Sequence, residues 1–311
     1  MCTNRVETLC PIRIRIKYGF LTDASSNKHD ERQVLRSLHK KPFPNWGGIC
    51  DTGTRQSPID LSVSKSLKGV YDELKLDNFN DKQTGVTIVN NGHSIQLANF
   101  NNEMEVEGGP LLDDYVVEQI HLHWWSEHTI NSVRYPLEAH IVGRNKRYAN
   151  VTMASNFKDG LTVIAVLYHV SNERNKAIDQ IIDYLEEVKD FDKLNQPVRM
   201  KNPFVVRELF PKLNGYMTYA GSLTTPSCAE AVTWIVLSET FPVTLKQIDS
   251  FKEVQCEEKR TLKNNYRDLQ KVNNRPVIVV LPEEKSAAGG ANPLQLSVGS
   301  LLLVLLVSKF L

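Results

Sequence analysis

The chain has 311 residues, with 37 Lys and Arg against 36 Asp and Glu, which leaves a formal net charge of +1. Its 41% hydrophobic and 23% charged residues are typical of a globular protein with a sizeable core, so extended disorder, collagen and a dense disulfide scaffold are excluded. Phosphate binding needs clustered Lys and Arg, and the chain has no long basic block. Nucleic acid is therefore not an expected partner.

The first 40 residues differ in texture from the rest of the chain. They lack the apolar segment of a secretory signal peptide, because Arg13, Arg15 and Lys17 alternate with isoleucines. We interpret residues 1–40 as an atypical N-terminal segment without a recognisable signal peptide. Residues 41–283 contain no linker, repeat or low-complexity stretch, and we predict that they form one domain.

This domain is predicted to be mainly β, in the α+β class, around one large sheet. Short segments rich in Val, Ile and aromatic residues alternate with turn residues, which is typical of strands. The predicted strands are 85–90, 94–98, 116–124, 139–143, 161–170, 232–237 and 277–281.

The predicted strand 116–124 carries two histidines on one face. Strand alternation places Gln119, His121 and His123 on the same side of the sheet. Residues two apart on a strand lie about 6.6 Å apart, close enough for both imidazoles to reach one metal ion. A third ligand would then be expected on a neighbouring strand.

His140, in the segment 137–142, is the natural third ligand, and it shares its face with Glu138 and Val142. Three imidazoles leave the fourth tetrahedral position of Zn²⁺ open to water, which is the catalytic arrangement. Gln119 and Glu138 are suited to accept the remaining ring N–H of a ligand histidine. Paired strand histidines are also common as core or surface residues, so the spacing alone leaves both interpretations open.

Two features bear on the compartment of the protein. The tripeptide Asn150-Val151-Thr152 is an acceptor site for N-glycosylation, in a polar stretch that is predicted to be an exposed loop. The five cysteines include no C-x-x-C pair, which argues against a zinc ribbon or a thioredoxin-like site, and their spacing decides no pairing.

Two segments are predicted to be helices that flank the sheet. Residues 175–189 carry apolar side chains at helical spacing, which predicts one amphipathic helix. A second helix is predicted to begin after Thr244, because Thr244 and Gln247 have the spacing of a capping box.

Residues 284–311 are predicted to be a glycosylphosphatidylinositol attachment signal. A small-residue cluster, a polar spacer and a hydrophobic tail follow one another in that order, with the attachment point expected within 286–290. The uninterrupted apolar run, 301–307, is far shorter than the roughly 20 residues that a spanning helix needs. We therefore predict a lipid anchor on the extracellular face of the plasma membrane. The alternatives are a frayed terminal helix and, since no signal peptide is visible, a cytoplasmic protein.

Seven segments of the chain resemble α-class carbonic anhydrases and follow that family's order. They are RQSPID at 55–60, NNGH at 90–93, QIHLHW at 119–124, SEHT at 126–129, EAH at 138–140, GSLTTP at 221–226 and VTWIV at 232–236. The resemblance covers roughly residues 41–282. It implies a twisted, mostly antiparallel sheet, and reversible hydration of carbon dioxide to bicarbonate as the reaction.

The resemblance also assigns roles to particular residues. The implied Zn²⁺ ligands are His121, His123 and His140, supported by Gln119, Glu138 and Asn265. Thr224 resembles the family's gatekeeper, whose hydroxyl donates a hydrogen bond to Glu127, and His93 matches the residue that relays protons to buffer, a role that suits an imidazole. The implied lining of the carbon dioxide site is Val142, Val163, Leu223, Thr224, Thr225 and Trp234. Asn91 and Thr225 are expected to order the intervening waters.

Cys50 and Cys228 resemble the disulfide pair of the family's extracellular, lipid-anchored isozyme. The protein is expected to be a monomer. The chain departs from the family pattern between His123 and Glu127, where only three residues stand in place of a longer loop. This predicts a much tighter hairpin. A further departure is Tyr266, which stands where the family often has Trp.

An active zinc enzyme is the favoured hypothesis, because the chain keeps the three histidines together with Glu127 and Thr224. The alternative from another class is a catalytically impaired, carbonic-anhydrase-like binding domain. A dedicated zinc hydrolase is a weaker hypothesis, since the sequence contains neither a G-x-S-x-G nor an H-E-x-x-H motif.

Overall fold

The computed structural model describes residues 46–281, and the predictions for 1–40 and 284–311 lie outside these residues. The strands are β1 (Asp60–Leu61), β2 (Leu67–Lys68), β3 (Lys75–Asp77), β4 (Thr87–Asn90), β5 (Ile95–Ala98), β6 (Glu105–Glu107), β7 (Tyr115–Trp124), β8 (Thr129–Ile130), β9 (Val133–Arg134), β10 (Leu137–Asn145), β11 (Leu161–Val170), β12 (Val198–Arg199), β13 (Tyr216–Gly221), β14 (Val232–Leu237), β15 (Phe241–Val243), β16 (Gln255–Glu257), β17 (Arg260–Thr261) and β18 (Ile278–Val280). The α-helices are α1 (Ile49–Thr52), α2 (Val151–Ala154), α3 (Lys176–Ile182), α4 (Leu185–Val188) and α5 (Leu245–Phe251), and short 3-10 helices cover Val63–Lys65, Phe191–Lys193 and Val206–Leu209.

Thirteen strands of residues 46–281 form one mixed sheet, in the order β12-β4-β5-β7-β10-β11-β14-β13-β18-β2. β15 pairs with β11, and β6 joins β3 to β7. Most neighbours are antiparallel, whereas β14 and β15 run parallel to β11, and β2 runs parallel to β18. The prediction of a large, mostly antiparallel sheet is confirmed, and each strand predicted from the sequence lies within two residues of its expected bounds.

Each face of the sheet has its own hydrophobic core. On one face, Ile120 and Leu122 of β7 and Ile141 of β10 pack with buried side chains of the helices, such as Ile178. On the other face, the core includes Val142, Val163 and Trp234. Because side chains alternate along a strand, the histidines of β7 and β10 point to the second face.

The prediction of one helix over 175–189 is wrong, because the segment forms two short helices, α3 and α4. The break lies at Tyr184, whose hydroxyl accepts a hydrogen bond from the backbone N–H of Lys201 at 2.6 Å. In so short a segment, a tertiary contact of this kind outweighs helix propensity. The predicted capping box of Thr244 and Gln247 is present at the start of α5.

The central pair of strands fixes the site. β7 and β10 are antiparallel, with His140 opposite His121 and Glu138 opposite His123. The register shifts between Val142 and Gly143, where a bulge interrupts the ladder. Bulges re-aim side chains at the margins of functional sites, and this one follows the second residue pair beyond His140 and His121.

Cys50 and Cys228 form a disulfide, as the resemblance implied, across a sequence separation of 178 residues. Asn150 is exposed, and its side chain caps α2 by accepting a hydrogen bond from the N–H of Met153 at 2.8 Å. Glycosylation at Asn150 stays a prediction. None of the helices in residues 46–281 has the length and apolar character that a bilayer-spanning helix needs.

Candidate metal centre

His121, His123 and His140 converge on one point above the second face of the sheet. Their nearest ring nitrogens all lie within 4.8 Å of one another. The His121 Nε2 and His140 Nδ1 atoms are 3.1 Å apart, and the ring centroids of His123 and His140 are 4.6 Å apart. The strand alternation and the cross-strand register that the sequence predicts therefore bring the three imidazoles together.

The other nitrogen of each imidazole has an acceptor. His121 Nδ1 lies 2.9 Å from Gln119 Oε1, and His140 Nε2 lies 2.6 Å from Glu138 Oε1. His123 Nδ1 lies 2.9 Å from the backbone carbonyl oxygen of Asn265. Each acceptor fixes the tautomer of its imidazole, so that His121 Nε2, His123 Nε2 and His140 Nδ1 are the nitrogens left for a ligand.

The residues present fit a metal ion. His123 Nε2 is buried without a hydrogen-bond partner, which is costly for a polar atom unless it binds something. Burial lowers the pKa of His121 well below its usual range, and the neighbouring His140 and His123 lower it further. Burial also lowers the pKa of His123. Both imidazoles are thus held neutral, which is the form that coordinates a metal.

Glu138 is the charged anchor of this arrangement. Burial on its own would raise the pKa of Glu138, but the nearby His128 and His140 bring it well below the usual carboxyl range. Glu138 Oε2 accepts a hydrogen bond from the backbone N–H of His128 at 2.9 Å, and Glu138 Oε1 lies 2.7 Å from the ring nitrogen Nδ1 of His128. It therefore stays ionised while it holds two imidazoles in place.

His128 continues the chain of hydrogen bonds away from the metal centre. Its Nε2 lies 2.7 Å from the Tyr219 hydroxyl, and that hydroxyl donates to Ser57 Oγ at 2.9 Å. His128, Glu138 and His140 could also group around an ion by distance alone. The short contacts of Glu138 with His128 and His140 instead join the three side chains in one hydrogen-bond network. No sequence pattern predicted a role for His128 or Tyr219, and the motif SEHT was the signal available for His128.

Glu127 lies beside the triad. Its carboxylate is buried, Oε1 accepts a hydrogen bond from the backbone N–H of Arg267 at 2.8 Å, and Oε2 has no partner. Glu127 Oε2 lies 3.5 Å from His123 Nε2 and 4.0 Å from His140 Nδ1. Within residues 46–281 no hydrogen bond joins Glu127 to Thr224.

The connection itself is a tight turn, as its length predicts. Trp125 takes a left-handed backbone conformation with φ of 60°, which is uncommon for a residue with a side chain. The backbone N–H groups of Trp125 and Ser126 donate to the carbonyl oxygens of Pro136 and Tyr135. Arg134 stacks on the ring of Tyr266 at 4.0 Å from its centroid. The two backbone hydrogen bonds therefore hold the turn against the residues just before β10.

The apolar residues implied for the carbon dioxide site lie together. Val142 on β10 is paired with Val163 on β11, and Val163 is paired with Trp234 on β14. Leu223 packs against this core, and Thr224 beside it is buried. Thr225 follows at the half-exposed edge, where its carbonyl oxygen accepts from the N–H of Cys228 at 2.8 Å.

His93 is half-buried in the turn between β4 and β5. Its backbone N–H donates to Asn91 Oδ1 at 3.2 Å, and its carbonyl oxygen accepts from Asn265 Nδ2 at 3.0 Å. Burial lowers the pKa of His93, and the nearby His123 lowers it further. Asn265 thus joins the turn of His93 to His123, a role that the resemblance implied only in general terms.

A large mixed β-sheet with a centre of three histidines, each braced by an outer acceptor, defines a metal-site protein of the mainly β class. The family model for eukaryotic-type carbonic anhydrases matches residues 41–280, and the chain belongs to this family. It is 33% identical to carbonic anhydrase 6 of Bos taurus over 261 residues, which covers 78% of this chain and 77% of that protein.

Two other relatives match a comparable share of this chain. The chain is 33% identical to putative carbonic anhydrase 3 of Caenorhabditis elegans, over 74% of this chain and 92% of that protein. It is 36% identical to the mitochondrial carbonic anhydrase 5A of Homo sapiens, over 72% of this chain and 76% of that protein. These likenesses extend over most of each relative, so they concern the whole fold rather than one motif.

Proposed function

We propose that this chain catalyses the zinc-dependent, reversible hydration of carbon dioxide to bicarbonate and a proton. The observation that carries the proposal is the convergence of His121, His123 and His140, with the outer nitrogen of each imidazole on an acceptor. Membership of the carbonic anhydrase family supports the same reaction. Three imidazole nitrogens are the donor set of a catalytic Zn²⁺ with an open fourth position.

The zinc ion would be held by His121 Nε2, His123 Nε2 and His140 Nδ1. When bound there, Zn²⁺ would lower the pKa of a water molecule to about 7, which makes a nucleophile available at neutral pH. The chain supplies the neutral state of the imidazoles, because burial lowers the pKa of His121 and of His123. Gln119, Glu138 and the Asn265 carbonyl hold the rings in register.

Thr224 and Glu127 would orient the reacting water. A threonine hydroxyl can accept one hydrogen bond and donate another, so it aims the lone pair of a neighbouring water. Glu127 Oε2 is buried without a hydrogen-bond partner and can accept a hydrogen bond from the hydroxyl of Thr224. Its free acceptor capacity supports this role.

Carbon dioxide is apolar and needs a dry wall beside the nucleophile. Val142, Val163 and Trp234 form a row across three neighbouring strands, and all three are at least 96% buried. Leu223 completes the wall from the loop that also carries Thr224 and Thr225. The row begins at Val142, two residues from His140 and on the same face of β10, so the substrate would sit next to the metal.

Each turnover releases a proton, and we assign its export to His93. Because burial lowers its pKa, the imidazole is neutral at neutral pH and can accept a proton. The half-exposed position of His93 lets it pass the proton to buffer. Asn91 and Thr225 would help to order the waters between His93 and the metal centre.

We also propose that residues 41–283 are the catalytic domain of an extracellular protein, held at the membrane surface by a lipid on 286–290. The Cys50–Cys228 disulfide supports an oxidising compartment, and the exposed Asn150 supports glycosylation there. Labelling with a lipid precursor tests the anchor. Release by a phospholipase that cleaves glycosylphosphatidylinositol supports it, whereas retention in the cytoplasm with free thiols at both cysteines would refute it.

The test of the reaction is stopped-flow hydration of carbon dioxide by the purified protein, with zinc content measured on the same sample. We expect one zinc per chain and activity that a chelator removes and added Zn²⁺ restores. Folded, zinc-loaded protein without chelator-sensitive activity would contradict the enzyme and favour the impaired binding domain instead.

A further inference from the structure

Arg267 has a buried guanidinium that contacts the segment 50–57. Its Nη2 donates to the carbonyl oxygen of Cys50 at 2.9 Å, and its Nη1 donates to Gln56 Oε1 at 2.9 Å and to the carbonyl oxygen of Ser57 at 2.8 Å. Arg267 is only 6% exposed, so these three acceptors take the place of water as hydrogen-bond partners of the guanidinium. The guanidinium is a rigid planar fork, and three acceptors fix its position closely.

The backbone of the same residue holds the carboxylate beside the metal centre. The Arg267 N–H donates to Glu127 Oε1 at 2.8 Å. Among residues 46–281, no other hydrogen bond reaches the carboxylate of Glu127. Arg267 therefore determines where Glu127 Oε2 lies relative to His123 Nε2, 3.5 Å away.

The disulfide connects to Arg267 from both of its cysteines. The Cys50 carbonyl oxygen accepts directly from Arg267 Nη2. The Cys228 carbonyl oxygen accepts from Gln56 Nε2 at 3.1 Å, and Gln56 Oε1 accepts in turn from Arg267. Gln56 thus bridges the second cysteine to the guanidinium, and the covalent Cys50–Cys228 bond closes a ring around it.

We propose that Arg267 is a positioning residue that transmits the geometry of the Cys50–Cys228 disulfide to Glu127. The kinetic part of the proposal rests on the proposed function, whereas its structural part concerns the metal-free protein as well. With the disulfide closed, the guanidinium holds the backbone at 267, and that backbone holds the Glu127 carboxylate. Opening the disulfide frees the segment 50–57, and Glu127 then loses its fixed position.

The first experiment compares Arg267→Met with Arg207→Met. Arg207 is a matched control, because its half-buried guanidinium donates to the carbonyl oxygens of Phe210 and Pro211 at 3.1 and 3.0 Å but has no connection to the metal centre. Both variants leave buried carbonyl groups without a donor. A difference between them therefore reports the link to Glu127 rather than a general loss of stability.

For Arg267→Met we expect kcat to fall about 10-fold, with the KM for carbon dioxide and the zinc content unchanged, since removing an outer partner typically costs 10- to 100-fold. Arg207→Met should leave all three unchanged. In the metal-free protein, hydrogen exchange of the backbone amide at position 267, measured by NMR, should accelerate at least about 10-fold in Arg267→Met and stay slow in Arg207→Met. Unchanged exchange and unchanged kcat would overturn the proposal.

The second experiment tests the disulfide. Cys50→Ser/Cys228→Ser should also lower kcat and accelerate exchange at the Arg267 amide, and combining it with Arg267→Met should add little to either effect. Fully additive effects would overturn the link between the disulfide and Arg267. If Arg267→Met does not fold, Gln56→Met takes its place, because it removes both bonds of the bridge and leaves two bonds of the guanidinium.

These readouts separate the proposal from the proposed function. Wild-type protein that binds zinc but does not hydrate carbon dioxide would refute the reaction, while amide exchange in the metal-free protein would still decide the role of Arg267. Conversely, an active enzyme in which Arg267→Met behaves like Arg207→Met would keep the reaction and remove the positioning role.

Discussion

The three imidazoles of the metal centre lie on two adjacent strands, whereas Glu127 and Thr224 lie on connections between strands. Each imidazole is set by the strand alternation and the register of β7 and β10, and each has its outer nitrogen satisfied. The carboxylate of Glu127 is set by one hydrogen bond from a residue 140 positions away, and one of its oxygens has no partner.

This difference separates metal binding from catalysis within one site. Strand geometry supplies ligands at fixed spacing, and the ladder hydrogen bonds resist their displacement. Connections of different length can replace one another without disturbing the ladder, so the turn after His123 can be as short as three residues while the triad keeps its register. We therefore expect metal affinity to depend on the histidines of β7 and β10, and turnover to depend on Glu127 and Thr224 in the connections.

His140→Ala should have the largest effect, because two imidazoles cannot complete the site. We expect zinc affinity to fall more than about 100-fold, beyond the usual effect of removing an outer partner. Competition with a chromophoric chelator measures it. His169→Ala is the matched control, since His169 is exposed and its Nδ1 contacts Thr240 at 2.8 Å, away from the triad. Full zinc affinity in His140→Ala would exclude this histidine as a ligand.

Thr224→Ala should lower kcat about 100-fold, which is typical of removing one preorganised polar contact to the reacting atoms. Zinc content should stay at one per chain, because Thr224 is not on β7 or β10. Thr224→Ser keeps the hydroxyl and should retain most of the activity. Stopped-flow kinetics decide the case, and equal losses in the two variants would show that the hydroxyl has no part in turnover.

Glu138→Gln should weaken zinc binding about 10- to 100-fold, because an uncharged amide braces His140 less well than the carboxylate does. Isothermal titration with Zn²⁺ measures the change. Glu118→Gln makes the same substitution on β7, where the carboxylate pairs with Arg144 at 2.6 Å, and should leave zinc affinity unchanged. The comparison fails if both variants weaken binding equally.

His93→Ala should have the smallest effect, a fall of about 10-fold in kcat in dilute buffer, since buffer molecules take over part of the proton transfer. Added imidazole should restore the rate. Because burial lowers its pKa, His93 accepts protons down to a pH below 6.5, and the wild-type rate in dilute buffer should decline only as pH falls through that lower value. No response to imidazole would remove His93 from the proton path.

The metal ligands on β7 and β10 could be predicted from the strand pattern, whereas hydrogen bonds between distant segments could not. Spacing of two in QIHLHW placed Gln119, His121 and His123 on one face, and the neighbouring strand supplied His140 opposite His121. The chain of His128, Tyr219 and Ser57 joins residues up to 162 positions apart, so no local pattern carries it. The single helix expected over 175–189 was wrong because a hydroxyl contact from Tyr184 lies outside any periodicity.

The position of β18 in the sheet has a consequence for synthesis. This strand lies between β13 and β2, and it pairs Ile278 with Leu67, 211 residues earlier in the chain. On the ribosome the early strand must wait for its neighbour while about 200 residues are made, which takes on the order of 10–40 s at 5–20 residues per second. We expect arrested nascent chains that end before 278 to stay sensitive to protease in the segment 61–69. Protection of that segment in such chains would show that the margin of the sheet forms without its final strand.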